Sequence, residues 1–159
     1  MKTLLFITTL LASFVAQGAD LVTHNSVLIK ADAATIWPRV VEPGEWKQGA
    51  QLVAIDDTNM VFHAVMPDNP DQPLFLVVTT EFVPDARRTI RLSALDGSLM
   101  GYASWRLQPV DGDTLVTYDV YSYAAALPEG LSEGQYVKMN RDRFQAELEG
   151  LKALIEGAE

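Results

Sequence analysis

The chain has 159 residues, of which 48% are hydrophobic and 21% are charged, and it contains no cysteine. This length and composition are typical of one globular domain, and the lack of cysteine excludes a disulfide framework as its source of stability. The formal net charge of −9 argues against a nucleic-acid partner, because binding a phosphate backbone requires a cationic face.

Residues 1–18 have the pattern of a secretory signal peptide, with a basic Lys2, an apolar run and then small residues ending at Gly18. The apolar run is shorter than the roughly 20 residues that a membrane span needs. We therefore expect cleavage after Gly18 or Ala19, no stable membrane insertion, and one periplasmic or secreted domain at 19–159. Without Lys2 the mature chain has 11 basic and 21 acidic residues and a net charge of −10.

The first elements of the mature chain are predicted to be a strand at 21–31 and then a broken pair of short helices. Asp32 is a candidate N-cap, and Pro38 is expected to bend or end the first helix because its ring lacks an amide donor. Trp37 is interpreted as a core residue that plugs the end of the fold, in preference to a ligand contact. Trp46 lies in the following turn, where a rim position and a buried position are equally plausible.

Residues 50–125 alternate between apolar and polar side chains, with turn signals and prolines between the runs. This pattern predicts six strands in series, which form an antiparallel meander. The predicted strands lie in AQLVAIDD, TNMVFHAVM, PLFLVVTTEFV, RTIRLSAL, GYASWRLQPV and TLVTYDVYSYAAA.

The last segment changes to a helical period. Ser132 and Gln135 form a capping-box pattern, and Arg143 and Glu147 are expected on the solvent side. One apolar face is predicted from the spacing of Val137, Phe144, Leu148, Leu151 and Ile155.

This order of elements resembles the START-like superfamily, also called SRPBCC, which includes polyketide cyclase-like proteins. The resemblance is carried by LIKADAATIWPRVVEPGEW, WRLQPVDGDTLVTY and RFQAELEGLKALIEG, and it covers essentially the whole mature chain. It implies an α+β helix-grip fold, in which a curved antiparallel sheet of about seven strands surrounds a long C-terminal helix and two short helices follow strand 1. It also implies a cavity for lipids, sterols, polyketides or other apolar molecules.

Strand alternation assigns side chains to the two faces of the predicted sheet. Tyr118 takes the inner face, where its hydroxyl either orients a ligand or reaches solvent past the strand edge. Tyr121 and Tyr123 take the outer face as an aromatic cluster, and Arg91 and Glu81 are expected to pair there across the sheet. The candidate ligand-binding residues of the cavity wall are Trp105, Tyr118, Phe62, Phe82, Leu92, Val116, Val137 and Phe144.

The sequence predicts no catalytic residue, metal or cofactor. His24 and His63 are the only histidines and lie on separate predicted strands, so a metal site has a poor supply of ligands. We expect an exported binding or carrier protein for a small hydrophobic ligand, of the lipid, quinone or aromatic metabolite class. Two alternatives stay open: a cyclase or dehydratase with Tyr118 or His63 as a proton relay, and an interaction module whose cavity is filled by its own side chains. The oligomeric state is not predicted.

Overall fold

The computed structural model describes residues 18–41, 50–54, 59–64 and 75–157, with only the backbone described for 50–54, 59–64 and Phe75. The predicted leader, Trp46 and the second short helix lie outside these residues, apart from Gly18. The elements are β1 (Ala19–Ile29), α1 (Ala33–Val41), β2 (Ala50–Ala54), β3 (Asn59–Ala64), β4 (Phe75–Val83), β5 (Arg87–Ala94), β6 (Leu99–Val110), β7 (Asp113–Ala124) and α2 (Glu133–Glu156).

The strands form one open antiparallel sheet in the order β1-β7-β6-β5-β4-β3-β2. Side chains are described on five of them, β1 and β4 to β7. Apart from β1 and β7, strands that are adjacent in the sheet also follow one another along the chain, as in a meander. The predicted α+β architecture, an antiparallel sheet with a long C-terminal helix, is confirmed.

Helix α1 begins at the predicted cap. The Thr35 backbone amide donates to Asp32 Oδ1 at 2.8 Å, and hydrogen bonds from Thr35 hold the pKa of the Asp32 carboxyl below its ordinary value. The helix continues through Pro38 to Val41, so Pro38 does not end it. Proline removes one backbone hydrogen bond, whereas burial of Ile36 and other apolar side chains anchors the helix on both sides of that position.

Helix α2 begins with the predicted capping box, in which the side chains and backbone of Ser132 and Gln135 bond reciprocally. Its predicted apolar face is confirmed: Phe144, Leu148 and Leu151 are buried, and Val137 and Ile155 are half-buried against the core. Sequence reasoning missed Asn140, which is also buried. Its side-chain amide donates to the Tyr136 carbonyl at 2.9 Å, so its polar group is satisfied within the helix.

Helix α2 lies along the free edge of β1. Gln145 Nε2 donates to the Ser26 carbonyl at 3.2 Å, and Lys152 Nζ donates to the Leu28 carbonyl at 2.7 Å. In the opposite direction, the backbone amide of Lys30 donates to Glu156 Oε1 at 2.9 Å. Residue numbers rise together on the two partners, so the helix and the strand run in the same direction. The N-terminal half of α2 therefore lies over the beginning of β1.

Candidate functional site

The strand register arranges the inward side chains in rows that cross the sheet. Two rows, which we call the bulky rows, run Asn25–Tyr118–Trp105–Arg88–Phe82 and Val27–Val116–Leu107. Three further rows, which we call the small-residue rows, run Thr23–Val120–Ala103–Ile90–Thr79, Leu21–Ser122–Gly101–Leu92–Val77 and Ala19–Ala124–Leu99. Because α2 runs in the same direction as β1, the small-residue rows lie at the end of the sheet that faces the N-terminal half of the helix.

Three of the predicted cavity-wall residues, Trp105, Tyr118 and Val116, lie together in the bulky rows, and a fourth, Phe144 of α2, packs against them. Trp105 stacks on Tyr118 with ring centroids 4.5 Å apart, and Tyr118 meets Phe144 edge to face at 5.2 Å. Val116 lies in the next row, and all four side chains are buried in one continuous core with α2. The structure therefore brings these residues together as a packed aromatic and aliphatic layer.

A β-bulge and helix α1 shape the far end of the bulky rows. The β4–β5 register shifts between Thr79 and Glu81, which places Phe82 on the same face as Thr79. Phe82 is half exposed and contacts Trp37 edge to face at 5.4 Å. Trp37 is itself buried in the core, which confirms its interpretation as a plug at this end. Phe82 thus lies beside α1.

A buried arginine ties α1 to the sheet. The Arg88 guanidinium donates from Nη1 to the carbonyls of Val41 (2.9 Å) and Val40 (3.4 Å), and from Nη2 to Thr79 Oγ1 (3.3 Å). These carbonyls belong to the C-terminal end of α1, where a positive charge complements the helix dipole. Burial lowers the pKa of Arg88, but an arginine starts so high that it stays charged. Strand alternation could have predicted the inward position of Arg88, because Arg88 lies two residues before the inward-facing Ile90 on the same strand.

The small-residue rows are less completely covered than the bulky rows. Leu92, Leu99 and Gly101 are half-buried, and Tyr136 and Val137 are half-buried on the helix. At Gly101 the backbone of β7 approaches so closely that a Cβ would lie 2.2 Å from the Tyr121 carbonyl oxygen, so the position accepts only glycine. Leu92 and Val137 are the predicted wall residues at this end. Their role in ligand binding stays a prediction.

Two further residues named from the sequence lie on β3, where only the backbone is described. Phe62 pairs with Leu52 of β2 and Phe75 of β4, and His63 pairs with Gln51. Their side chains lie outside the described part of the structure.

Charged side chains are concentrated on the outer face. At the inward positions of the strands whose side chains are described, Arg88 is the one charged residue. On the outer face Glu81 pairs with Arg87 at 2.8 Å and not, as expected, with Arg91. The bulge explains this, because it places Glu81 opposite Thr89 and leaves Arg91 opposite Val78. The inner face of the strands whose side chains are described therefore offers apolar contact and few groups for acid–base chemistry.

The predicted outer-face position of Tyr121 and Tyr123 is confirmed, since both side chains are exposed there. Within the described residues, neither α1 nor α2 is long and apolar enough to cross a bilayer. The same residues contain no cluster of three His, Asp or Glu side chains arranged to hold a metal ion.

Comparison with known proteins supports the fold and gives no sequence family. No family model matches the sequence, and a search of curated proteins gives no significant match. The chain is similar in structure to a conserved protein from Geobacillus kaustophilus, with a TM-score of 0.70, 12% identity, and 87% of this chain and 97% of that chain covered.

Two further solved structures show the same architecture. Ara h 8.0201 matches with a TM-score of 0.62 and 10% identity, covering 87% of this chain and 99% of its own. CalU16 from Micromonospora echinospora matches with a TM-score of 0.58 and 13% identity, covering 87% of this chain and 86% of its own. At these identities the likeness concerns the fold alone, and it is the helix-grip type that the sequence predicted.

Proposed function

We propose that the protein binds a small apolar or amphipathic molecule between the small-residue rows and the N-terminal half of α2. The observation that carries this proposal is the change in side-chain size along the inner face. Bulky side chains fill the core beside α1, whereas alanine, serine, threonine and glycine occupy seven of the thirteen positions in the small-residue rows, where Leu92 remains half-buried, as does Val137 on the helix. Small side chains beneath a helix leave space that a ligand can occupy.

The lining supports the class of ligand that we propose. The small-residue rows are apolar apart from hydroxyl side chains such as Thr23 and Ser122, and Asn140 lies on the helix above this end. The stacked Trp105 and Tyr118 form the wall toward the bulky rows. An amphipathic lipid, a quinone or an aromatic metabolite fits such a lining, because its apolar body replaces water there and its few polar groups find neutral partners.

Binding is favoured over cyclase or dehydratase chemistry by the placement of charge. General acid–base catalysis needs a group that titrates near the working pH and reaches the substrate. Arg88 is the charged residue on the described inner face, and it is engaged with the carbonyls of α1 and with Thr79. Tyr118, the proposed proton relay, is buried between Trp105 and Phe144.

Export is part of the same proposal. Strand β1 begins at Ala19, immediately after the proposed leader, so cleavage after Gly18 leaves the strand complete and cleavage after Ala19 removes one residue. We expect the mature chain in the periplasmic or secreted fraction, with Ala19 or Asp20 at its N-terminus, as measured by intact mass and N-terminal sequencing. A cytoplasmic chain that still begins at Met1 contradicts this part of the proposal.

Ligand binding is tested by filling the space. Native mass spectrometry of the mature protein, followed by extraction and identification of bound small molecules, establishes occupancy. Titration with a fluorescent fatty acid or a quinone analogue then measures affinity. We expect saturable binding by the wild type and its loss in Leu92→Trp, because the larger ring at this half-buried position occupies the proposed space between the small-residue rows and α2.

The matched control is Met100→Trp, which adds the same ring on the exposed outer face of β6. It should bind the probe as the wild type does, and thermal melts of both variants establish that they are folded. Absence of any bound molecule and of any saturable response in the wild type favours a core filled by the protein's own side chains. Equal binding by Leu92→Trp and Met100→Trp places the ligand elsewhere.

A further inference from the structure

Three buried side-chain oxygens lie on the inner face where β1 and β7 pair. Among the residues that the structure describes, no hydrogen-bond partner reaches Thr23 Oγ1, Asn25 Oδ1 or Ser122 Oγ. At most 3% of each of these residues is exposed. A buried polar group without a partner is costly, and native proteins contain few of them. Three such oxygens in one region therefore point to a partner that binds there.

The strand register places the three residues side by side. Thr23 and Asn25 are successive inward residues of β1, and Ser122 lies opposite Leu21, one row away from Thr23. Successive inward residues on one strand, and diagonal neighbours on paired strands, are about 7 to 8 Å apart. One oxygen that makes two hydrogen bonds of about 2.8 Å joins side-chain oxygens up to about 5.6 Å apart. A single ligand group can therefore reach two neighbouring members of this set when their side-chain oxygens lean toward it.

The Asn25 amide is held so that only an acceptor remains. Its Nδ2 donates to the Arg141 carbonyl of α2 at 3.0 Å and to Gln145 Oε1 at 3.2 Å, which uses both of its hydrogens. Oδ1 accepts hydrogen bonds but cannot donate them, whereas the hydroxyls of Thr23 and Ser122 can do either. A partner that satisfies all three groups must therefore bring at least one hydrogen-bond donor.

We propose that Thr23, Asn25 and Ser122 bind a neutral hydroxyl group at one end of the ligand, an inference that rests on the ligand site proposed above. The hydroxyl of an alcohol or a phenol donates to Asn25 Oδ1 and accepts from Thr23 or Ser122. The apolar body of the ligand then lies along the small-residue rows, of which the rows of Thr23 and Ser122 are two.

The same atoms disfavour other polar head groups. The oxygen of an ether or of a quinone carbonyl only accepts hydrogen bonds, so it leaves Asn25 Oδ1 unpaired. A carboxylate or phosphate would bring a buried negative charge, and the one cation at the described inward strand positions, Arg88, is engaged with Val41 O and Thr79. An ammonium group meets no carboxylate at those positions. The site therefore selects a long-chain alcohol or a phenol.

Two matched pairs of ligands test the need for a donor: 1-decanol with decyl methyl ether, and 2-naphthol with 2-methoxynaphthalene. Isothermal titration calorimetry of the mature protein measures each affinity. In at least one pair the hydroxyl compound should bind at least about fivefold more tightly than its ether, because the ether cannot donate to Asn25 Oδ1. The pair that shows this preference distinguishes an aliphatic from an aromatic ligand.

The double variant Thr23→Val, Ser122→Ala tests the two hydroxyls. It should bind the preferred hydroxyl compound at least about fivefold more weakly than the wild type does. Its melting temperature should not fall, because the groups that it removes are unpaired in the free protein. The matched control is Thr114→Val, which removes a buried hydroxyl on the same face of β7 that donates to the Ala31 carbonyl at 2.8 Å. The control should melt at a lower temperature and bind the hydroxyl compound as the wild type does.

The outcomes separate this inference from the proposed function. Equal binding of the hydroxyl compound and its ether in both pairs overturns the polar site but keeps a ligand in the cavity. Unchanged binding by the double variant also overturns the polar site, and so does a lower melting temperature of that variant, which shows that the hydroxyls already have partners. If none of the four compounds binds and no bound molecule is extracted from the protein, the proposed function fails and this inference fails with it.

Discussion

Replacing Arg88 by methionine tests whether the buried guanidinium holds α1 on the sheet. Two effects oppose each other in this variant. Methionine removes the cost of burying a charge, and replacing buried ionic groups by apolar ones is often neutral or stabilising. It also removes the donors to Val40 O, Val41 O and Thr79 Oγ1. The sign of the change in unfolding free energy shows which effect is larger.

The geometry predicts that the lost hydrogen bonds dominate. The contact from Nη1 to Val41 O is 2.9 Å, and a hydrogen bond from a charged donor contributes about 1.5 to 3 kcal/mol. The other two contacts, at 3.3 and 3.4 Å, are long and add less. We therefore expect Arg88→Met to lower the unfolding free energy by about 2 to 3 kcal/mol. Arg88→Lys should recover only part of this, because one ammonium cannot reproduce the planar fork.

Urea denaturation of the mature protein, followed by far-ultraviolet circular dichroism, measures these changes. Arg87→Met is the matched control, because the adjacent arginine forms a solvent-exposed ion pair with Glu81 at 2.8 Å. Such pairs contribute about 0 to 1 kcal/mol. If Arg88→Met is as stable as Arg87→Met, or more stable than the wild type, the guanidinium is not what secures α1.

Two further predictions concern α2. Phe144→Asp should lower the unfolding free energy by more than about 3 kcal/mol, because it buries a charge beside Tyr118. The control is Met139→Asp, on the exposed side of α2. If both variants melt at the same temperature, Phe144 is not on the buried face of the helix. The hydrogen bond from Lys152, followed by that from the Lys30 amide, lowers the pKa of Glu156. The stability that the Glu156 carboxylate adds to the fold is therefore complete above the unfolded-state pKa and is lost as pH falls through the folded-state pKa. The difference in melting temperature between the wild type and Glu156→Gln should accordingly shrink as the pH is lowered from about 6 to about 3. A constant difference across that range contradicts it.

The architecture was largely predictable because the sequence signals that specify it are local and recur along the chain. Alternation in each strand, turn residues between strands and the capping box at Ser132 all act locally, and together they determine an antiparallel meander followed by a helix. Pro38 was misjudged as a possible helix end because tertiary packing of residues such as Ile36 outweighs one missing hydrogen bond. The Glu81 partner was misjudged because a bulge changes the register without a clear signal in the sequence.

The candidate site was predictable only in part. Alternation identified inward residues such as Trp105 and Leu92, but it gave no measure of how closely each is packed. That distinction depends on which rows face which half of α2, and the direction of the helix is determined by long-range contacts such as that between Lys152 and Leu28. The contact between His24 and Asp119 on the outer face was missed for the same reason, since the two residues are far apart in the chain and meet only through the β1–β7 register.

The contacts between α2 and the free edge of β1 make resistance to aggregation depend on one helix. An unpaired strand edge can recruit a strand from another chain, and here the side chains of Gln145 and Lys152 occupy carbonyls of that edge. The same helix also covers the apolar inner face. Partial detachment of α2 would therefore expose a pairing edge and an apolar surface in a single event. The attachment of this helix therefore links loss of the fold to exposure of surfaces that promote aggregation.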